Sequence, residues 1–184
     1  MFASTARLAR QARDEGYAVA AVNILDDLSL RAVVAAAAAT SSPVIIQVSV
    51  KTVRSTGVEL LTTMVRLAAA DAPVPVALHL DHCPYRDVIS AVVAAGWSSV
   101  LFDASDRDLA TAERETAEVC AEAHAAGVDV ESEIENIVGV EDDIGSDEAV
   151  HAYSVQTLVD VAARTGADLI APQLGTAHGL YTHD

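Results

Sequence analysis

Short apolar, β-branched runs alternate along the chain with longer segments whose apolar positions recur every three or four residues, which is the signature of parallel βα units. Six runs are expected as strands: residues 19–24 (VAAVNI), 43–49 (PVIIQVS), 75–81 (PVALHLD), 99–105 (SVLFDAS), 129–135 (DVESEIE) and 169–175 (LIAPQLG). Helices are expected over residues 28–39, 58–70, 86–95, 108–126 and 154–165, preceded by one over 4–15. Within 108–126, Leu109, Ala112, Thr116, Val119 and Ala123 repeat at helical spacing, while Glu113, Arg114, Glu118 and Glu122 fall mainly on the other face. Gly96, Gly127 and Gly166 stand where a helix should end and turn toward a strand. One connection is different: NIVGVEDDIGSDEAVHAY, between the fifth strand and its helix, is long enough to need either disorder or function as its reason. Six consecutive units suit an open doubly wound sheet or most of an eight-stranded barrel, and a closed barrel takes about 250 residues. No GxGxxG follows the first strand, which counts against a dinucleotide site.

Composition narrows the class. The 184 residues are 52% hydrophobic, 21% charged and 4% aromatic, which suits a globular domain rich in Ala and Val, and neither a domain boundary nor a low-complexity segment interrupts residues 1–184. A formal charge of −16 disfavours nucleic acid and anionic membranes as partners, because such a surface repels phosphate. No run approaches the roughly 20 apolar residues of a membrane span. MFASTARLARQARDEG is too polar for a signal sequence, and two cysteines, Cys83 and Cys120, make no disulfide framework, so a reducing cytoplasm is the expected compartment.

In βα sheets chemistry sits at the carboxyl ends of the strands. Here those ends carry Asn23, Ser49, Asp81 with His82, Asp103 with Ser105, Glu133 with Glu135, and Thr176 to His178. In the fifth strand Glu131, Glu133 and Glu135 alternate with Val130, Ser132 and Ile134, which sets three carboxylates on one pleat face. Pointed into a barrel, they imply a metal or a buried arginine as partner; on an edge strand they would simply face water. His82 and His178 come from separate strands and would converge on one metal with a position left open for substrate, although a histidine that only packs is the common alternative. His79 shares the face of Asp81 and reads as barrel filling, and Cys83 as a packed thiol. Lys51, the one lysine, lies just past the second strand in a solvated setting. A Schiff base needs a desolvated lysine, so carbonyl chemistry here would rest on a Lewis-acid metal with carboxylates moving protons.

Four segments carry a resemblance: HLDHCPYRDV from His79, SVLFDAS from Ser99, VESEIENIVGVEDD from Val130 and LGTAHGLY from Leu174. In order and spacing they resemble the class II zinc-dependent fructose-bisphosphate and tagatose-bisphosphate aldolases, and GYAVAAVNI and SSPVIIQVS extend the similarity over nearly the whole chain. The resemblance implies a (β/α)8 TIM barrel, of which about six βα units are present, in a single domain incomplete at its C-terminus. It implies that His82 and His178 bind the catalytic Zn2+, and that Asp81 exchanges a proton with the aldehyde or C4 hydroxyl oxygen. Asp103 and Glu133 match an alternative metal site beside the catalytic one, and Glu141 matches the loop carboxylate that takes a proton from the hydroxymethyl carbon of dihydroxyacetone phosphate. Gly179 would serve a phosphate and monovalent-cation site, with Asn23 and Ser49 as substrate contacts. The implied reaction is reversible cleavage of a ketose 1,6-bisphosphate, with fructose 1,6-bisphosphate the leading substrate and a tagatose bisphosphate or another ketose derived from dihydroxyacetone phosphate as the alternative. A homo-oligomer, dimer or tetramer, is the family expectation.

Some positions depart from that pattern. Glu135 and Val138 replace glycines usual in the motif, so the loop could differ in conformation and a third carboxylate could stand near the metal. Pro172 falls in a strand expected to be central, where it would cost a ladder hydrogen bond. The family's HGGSG and NxDT-like segments, which supply a third zinc histidine and part of the phosphate site, are not found before Asp184. The 184-residue chain alone is accordingly expected to be poorly active, with a catalytically silent fragment or subunit as the reading from another class.

Overall fold

A computed structural model of the chain describes residues 2–141, 144–146, 151–175 and 177. Its elements run α1 (Thr5–Glu15), β1 (Ala20–Asn23), α2 (Asp27–Ala39), β2 (Val44–Ser49), α3 (Val50–Thr56), α4 (Val58–Ala70), β3 (Val76–Cys83), α5 (Arg86–Ala94), β4 (Ser99–Asp103), α6 (Leu109–Ala125) and β5 (Asp129–Glu133). They continue with β6 (Gly139–Glu141), β7 (Ile144–Ser146), α7 (Val155–Thr165) and β8 (Leu169–Ile170). All six expected strands are present and form one parallel sheet in the order β1-β2-β3-β4-β5-β8. The order follows the chain without a reversal, so the sheet has no switch point and curls as six strands of a barrel; the doubly wound alternative is excluded.

Local chemistry explains the elements. Asp26, Asp108 and Ser154 cap α2, α6 and α7 by accepting hydrogen bonds from the first-turn amides of Ser29, Thr111 and Thr157. Gly166, at φ 83°, ends α7 in the left-handed conformation a side chain disfavours. On the outer face of the sheet Ile46, Val48, Leu78, Leu80, Val100, Phe102 and Val130 are buried under the helices, and the Trp97 indole in this layer donates to Thr62 Oγ1 at 2.7 Å. The concave face is mainly polar, with Leu101 buried in its middle and, at its amino end, Leu8 of α1 packed on Ile45 and Ala77. There Asp129 accepts from Ser4 Oγ (2.7 Å) and the Ala6 amide (2.9 Å), while Thr5 and Ser99 hydroxyls meet at 2.6 Å. Helix α1 thus plugs the end of the half-barrel opposite the chemistry, and its polar groups satisfy buried groups at the amino end of the sheet.

Four expectations need correction. Residues 50–56 form a helix, because the Ser49 hydroxyl accepts from the Thr52 amide and caps it. Strand β5 stops at Glu133, so Glu135 lies beyond the pleat that would have aligned it with Glu131 and Glu133. Strand β8 is only two residues long, and Pro172 falls outside it, where no ladder bond is lost. Part of the long acidic connection is ordered as the β6–β7 antiparallel hairpin, with Val140 opposite Gly145.

Candidate active site

Parallel register brings the polar residues to one rim. Ser49 pairs with Asp81 across β2 and β3, and Asp103 with Glu133 across β4 and β5, so the strands end level with one another. Asp81 is buried, and both of its oxygens are held: Oδ2 accepts from Asn23 Nδ2 at 2.8 Å and Oδ1 from Gln47 Nε2 at 2.9 Å. Two neutral amide donors fix the carboxylate's orientation without adding a positive charge. Gln47 was not singled out from the sequence, although alternation with Ile45 and Ser49 sets it on the concave face.

His82 follows at a break in the sheet. The β3–β4 register shifts between Leu80 and Cys83, and His82 takes φ 38°, a left-handed conformation costing a non-glycine residue about 1–3 kcal/mol. The bulge turns the imidazole to the concave rim, where Nδ1 lies 2.8 Å from Glu133 Oε2 and 3.9 Å from Asp103 Oδ2. Ligand atoms of His82, Asp103 and Glu133 all lie within 4.8 Å of one another. Burial disfavours the His82 cation, but hydrogen bonding to Asp103 and Glu133, with the charges of Glu133 and Asp81, outweighs it and pushes its pKa up to about 11. Burial likewise opposes ionisation of Asp103, yet His82 and Ser105 as donors hold its carboxyl below the usual value. One imidazole and two buried carboxylates match the N/O donor set that Zn2+ and related divalent ions take, so the residues present fit such an ion.

Deeper on the same face, Glu131 is pushed up to about 7 by burial and by the charges of Asp81 and Glu133, against the opposing pull of His82. His79 beside it is fully buried and bonds Ser99 Oγ through Nδ1 at 2.7 Å; burial holds it down to about 4, so it fills the barrel as a neutral ring. Cys83 is buried and its thiol pushed up to about 11 by burial, in keeping with a packed thiol.

Glu135 is not a third carboxylate at the cluster. It is 3% exposed, and its two oxygens accept from backbone amides far along the chain, Tyr153 N at 2.6 Å and Gln173 N at 2.9 Å. Next to it Asn136 Oδ1 accepts from the His151 amide at 2.9 Å, and the His151 ring donates from Nδ1 to the Ser105 carbonyl at 2.8 Å. These bonds close the base of the segment that carries the β6–β7 hairpin. A parallel bridge between Val138 and Ala177 brings the chain that leads to residue 178 alongside the same base. Glu141 is described only as backbone in β6, and His178 and Gly179 lie outside the described residues.

The model of the family called fructose-bisphosphate aldolase class-II matches residues 3–184. The chain belongs to that family. It is 37% identical over 183 residues to a fructose-bisphosphate aldolase of Thermus caldophilus, covering 98% of this chain and 59% of the relative. To a sulfofructosephosphate aldolase of Alkalicoccus urumqiensis it is 35% identical over 173 residues, covering 92% and 60%. Among solved structures, the YdjI aldolase of Escherichia coli K12 superposes with a TM-score of 0.84 at 29% identity, covering all of this chain and 64% of that one. This class II aldolase chain therefore spans about three-fifths of the length of the relatives it matches. The family is enzymatic and generally metal-dependent, and the half-barrel supplies one three-residue group able to hold an ion among its described residues.

Proposed function

We propose that the chain forms the greater part of the active site of a class II aldolase that reversibly cleaves fructose 1,6-bisphosphate to dihydroxyacetone phosphate and glyceraldehyde 3-phosphate. The observation that carries this reading is the pairing of a His82–Asp103–Glu133 cluster with an adjacent carboxylate, Asp81, held by two neutral amides. His82 and a carboxylate of the cluster would hold Zn2+, with His178 as a further ligand; when bound, the ion supplies Lewis-acid polarisation of the substrate's C2 carbonyl. In the cleavage direction Asp81 accepts the proton of the C4 hydroxyl as the C3–C4 bond breaks and the aldehyde departs. Glu141 then delivers a proton to C3 of the remaining three-carbon unit, and in condensation it removes that proton. The segment closed by Glu135 and Asn136 would carry Glu141 over the rim and exclude water.

Asn23 and Ser49 would contact substrate from the first two strands, and Gly179 would serve the phosphate with a monovalent cation nearby. The whole of residues 1–184 would belong to one TIM-barrel domain, in a cytoplasmic homo-oligomer. A second reading keeps the dihydroxyacetone-phosphate half and changes the aldehyde: identity to the sulfofructosephosphate aldolase nearly equals that to the fructose-bisphosphate aldolase. Both readings are tested by measuring triose-phosphate release from fructose 1,6-bisphosphate, tagatose 1,6-bisphosphate and 6-deoxy-6-sulfofructose 1-phosphate, before and after chelation. Metal-dependent release greatest from fructose 1,6-bisphosphate is expected, at a low rate from residues 1–184 alone; turnover that survives complete metal removal would overturn the mechanism.

A further inference from the structure

The β3–β4 ladder is irregular at the point where the cluster needs its spacing fixed. His82 stands in the register shift between Leu80 and Cys83, and beyond it the two strand ends separate into different loops. Among the described residues, one side chain hydrogen-bonds the backbones on both sides of that gap. Arg107, in the turn after β4, donates from Nη1 to the Asp103 carbonyl at 2.9 Å and from Nη2 to the Pro84 carbonyl at 3.1 Å. Pro84 lies two residues after His82, and Asp103 is itself a member of the cluster, so one planar fork joins the backbones that present two of its three ligands.

The guanidinium is itself held. Its Nε lies 2.7 Å from Glu115 Oε2 on α6, Nη1 lies 2.6 Å from Asp106 Oδ1, and its centre stands 5.2 Å from the Phe102 ring. The Arg107 side chain is 20% exposed and that of Glu115 24%, so this pair is less screened than a surface pair. Lysine could not substitute, because an ammonium is a point donor, whereas the fork reaches two carbonyls at fixed separation while its third edge meets a carboxylate.

We propose that Arg107 is a positioning residue for the metal cluster: it clamps the Pro84 and Asp103 carbonyls and thereby sets the separation of His82 from Asp103. It touches neither substrate nor ion, and acts through backbone. The inference rests on reading His82, Asp103 and Glu133 as the metal-binding group. Groups of this kind, one bond removed from the ligands, change metal affinity by about 10–100-fold when lost.

The test is Zn2+ affinity of the full chain, by competition with a chromophoric chelator, for the unaltered protein, His82→Ala, Arg107→Lys and Arg107→Leu, with thermal melting of each metal-free form. Arg107→Lys keeps a cation beside Glu115 and is the variant chosen to preserve folding. Expected is at least about a tenfold loss of Zn2+ affinity in Arg107→Lys while its metal-free melting temperature stays within a few degrees, with a larger loss in Arg107→Leu. Unchanged affinity in both Arg107 variants, beside a loss in His82→Ala, would overturn the positioning role and leave the cluster standing. Failure of the unaltered protein to bind Zn2+, or equal binding by His82→Ala, would overturn the cluster and this inference with it.

Discussion

Glu135 should hold the base of the hairpin segment through two main-chain amides. Its buried carboxylate accepts two backbone amides, at 2.6 Å from Tyr153 and 2.9 Å from Gln173, across sequence separations of 18 and 38 residues. A hydrogen bond to a charged group contributes about 1.5–3 kcal/mol, and a buried amide left without an acceptor costs about 1–3 kcal/mol. Burying the carboxylate offsets part of this, so Glu135→Ala should destabilise the chain by about 3 kcal/mol. In Glu135→Gln one oxygen still accepts, but an NH2 group faces the other amide, and a loss of about 2 kcal/mol is expected. For a chain of this size that corresponds to a melting temperature lower by roughly 4–8 °C. Urea unfolding gives the free energy, and amide hydrogen exchange gives the site: Tyr153 and Gln173 should exchange faster by the same factor, while the Val100 and Val130 amides of the central ladder change only through global stability. A change below about 0.5 kcal/mol in both variants, with exchange at Tyr153 and Gln173 unaltered, would refute the clamp.

Three further outcomes follow from the site. Asp81→Asn removes the group that moves the C4 hydroxyl proton while keeping its volume between Asn23 and Gln47, so kcat should fall by about 10²–10⁴ with Zn2+ affinity little changed; near-normal kcat would exclude Asp81 as the acid/base. His79, at about 4 when folded, binds fewer protons than its unfolded form as pH falls from 6.5 to 4, which lowers stability; Glu131, at about 7 when folded, binds more than its unfolded form as pH falls from 7 to 4.5, which raises it. The two contributions oppose each other between pH 6.5 and 4.5, so His79→Gln should unmask a stability that increases on acidification through that window, and an unfolding free energy that instead drops more steeply than in the unaltered chain would contradict the assignment. Chelation should lower the melting temperature reversibly, with recovery on adding Zn2+ to the unaltered chain and none in a His82→Ala, Asp103→Ala, Glu133→Ala triple variant.

The sheet was legible because most strands are apolar, β-branched runs bounded by turn residues and β5 alternates acidic with buried positions, and its order followed once the helices between were recognised. Element ends were less so. Strand β5 looks two residues longer in the sequence because the Glu/apolar alternation continues through Glu135, whereas ladder bonding stops at Glu133. The α3 helix was missed because VKTVRST is short and β-branched, and what forms it is the Ser49 cap and its place against α4. Asp81, His82, Asp103 and Glu133 were singled out from strand ends and do come together on one rim. Their division into a catalytic and an alternative metal site came from resemblance, and the geometry groups His82 with both carboxylates. Gln47 was readable from alternation alone. The clamps formed by Glu135 and Arg107 were not, because their partners are main-chain groups, most of them distant in sequence, which no pattern of side chains displays.

Anomalous diffraction at the zinc edge from crystals soaked in Zn2+ locates the ion and its ligands. One strong peak is expected about 2.0–2.2 Å from a His82 ring nitrogen and a carboxylate oxygen of Asp103 or Glu133, on the rim beside Asp81. A fully occupied ion elsewhere, with the His82 ring still turned to Glu133 and no density between them, would contradict it.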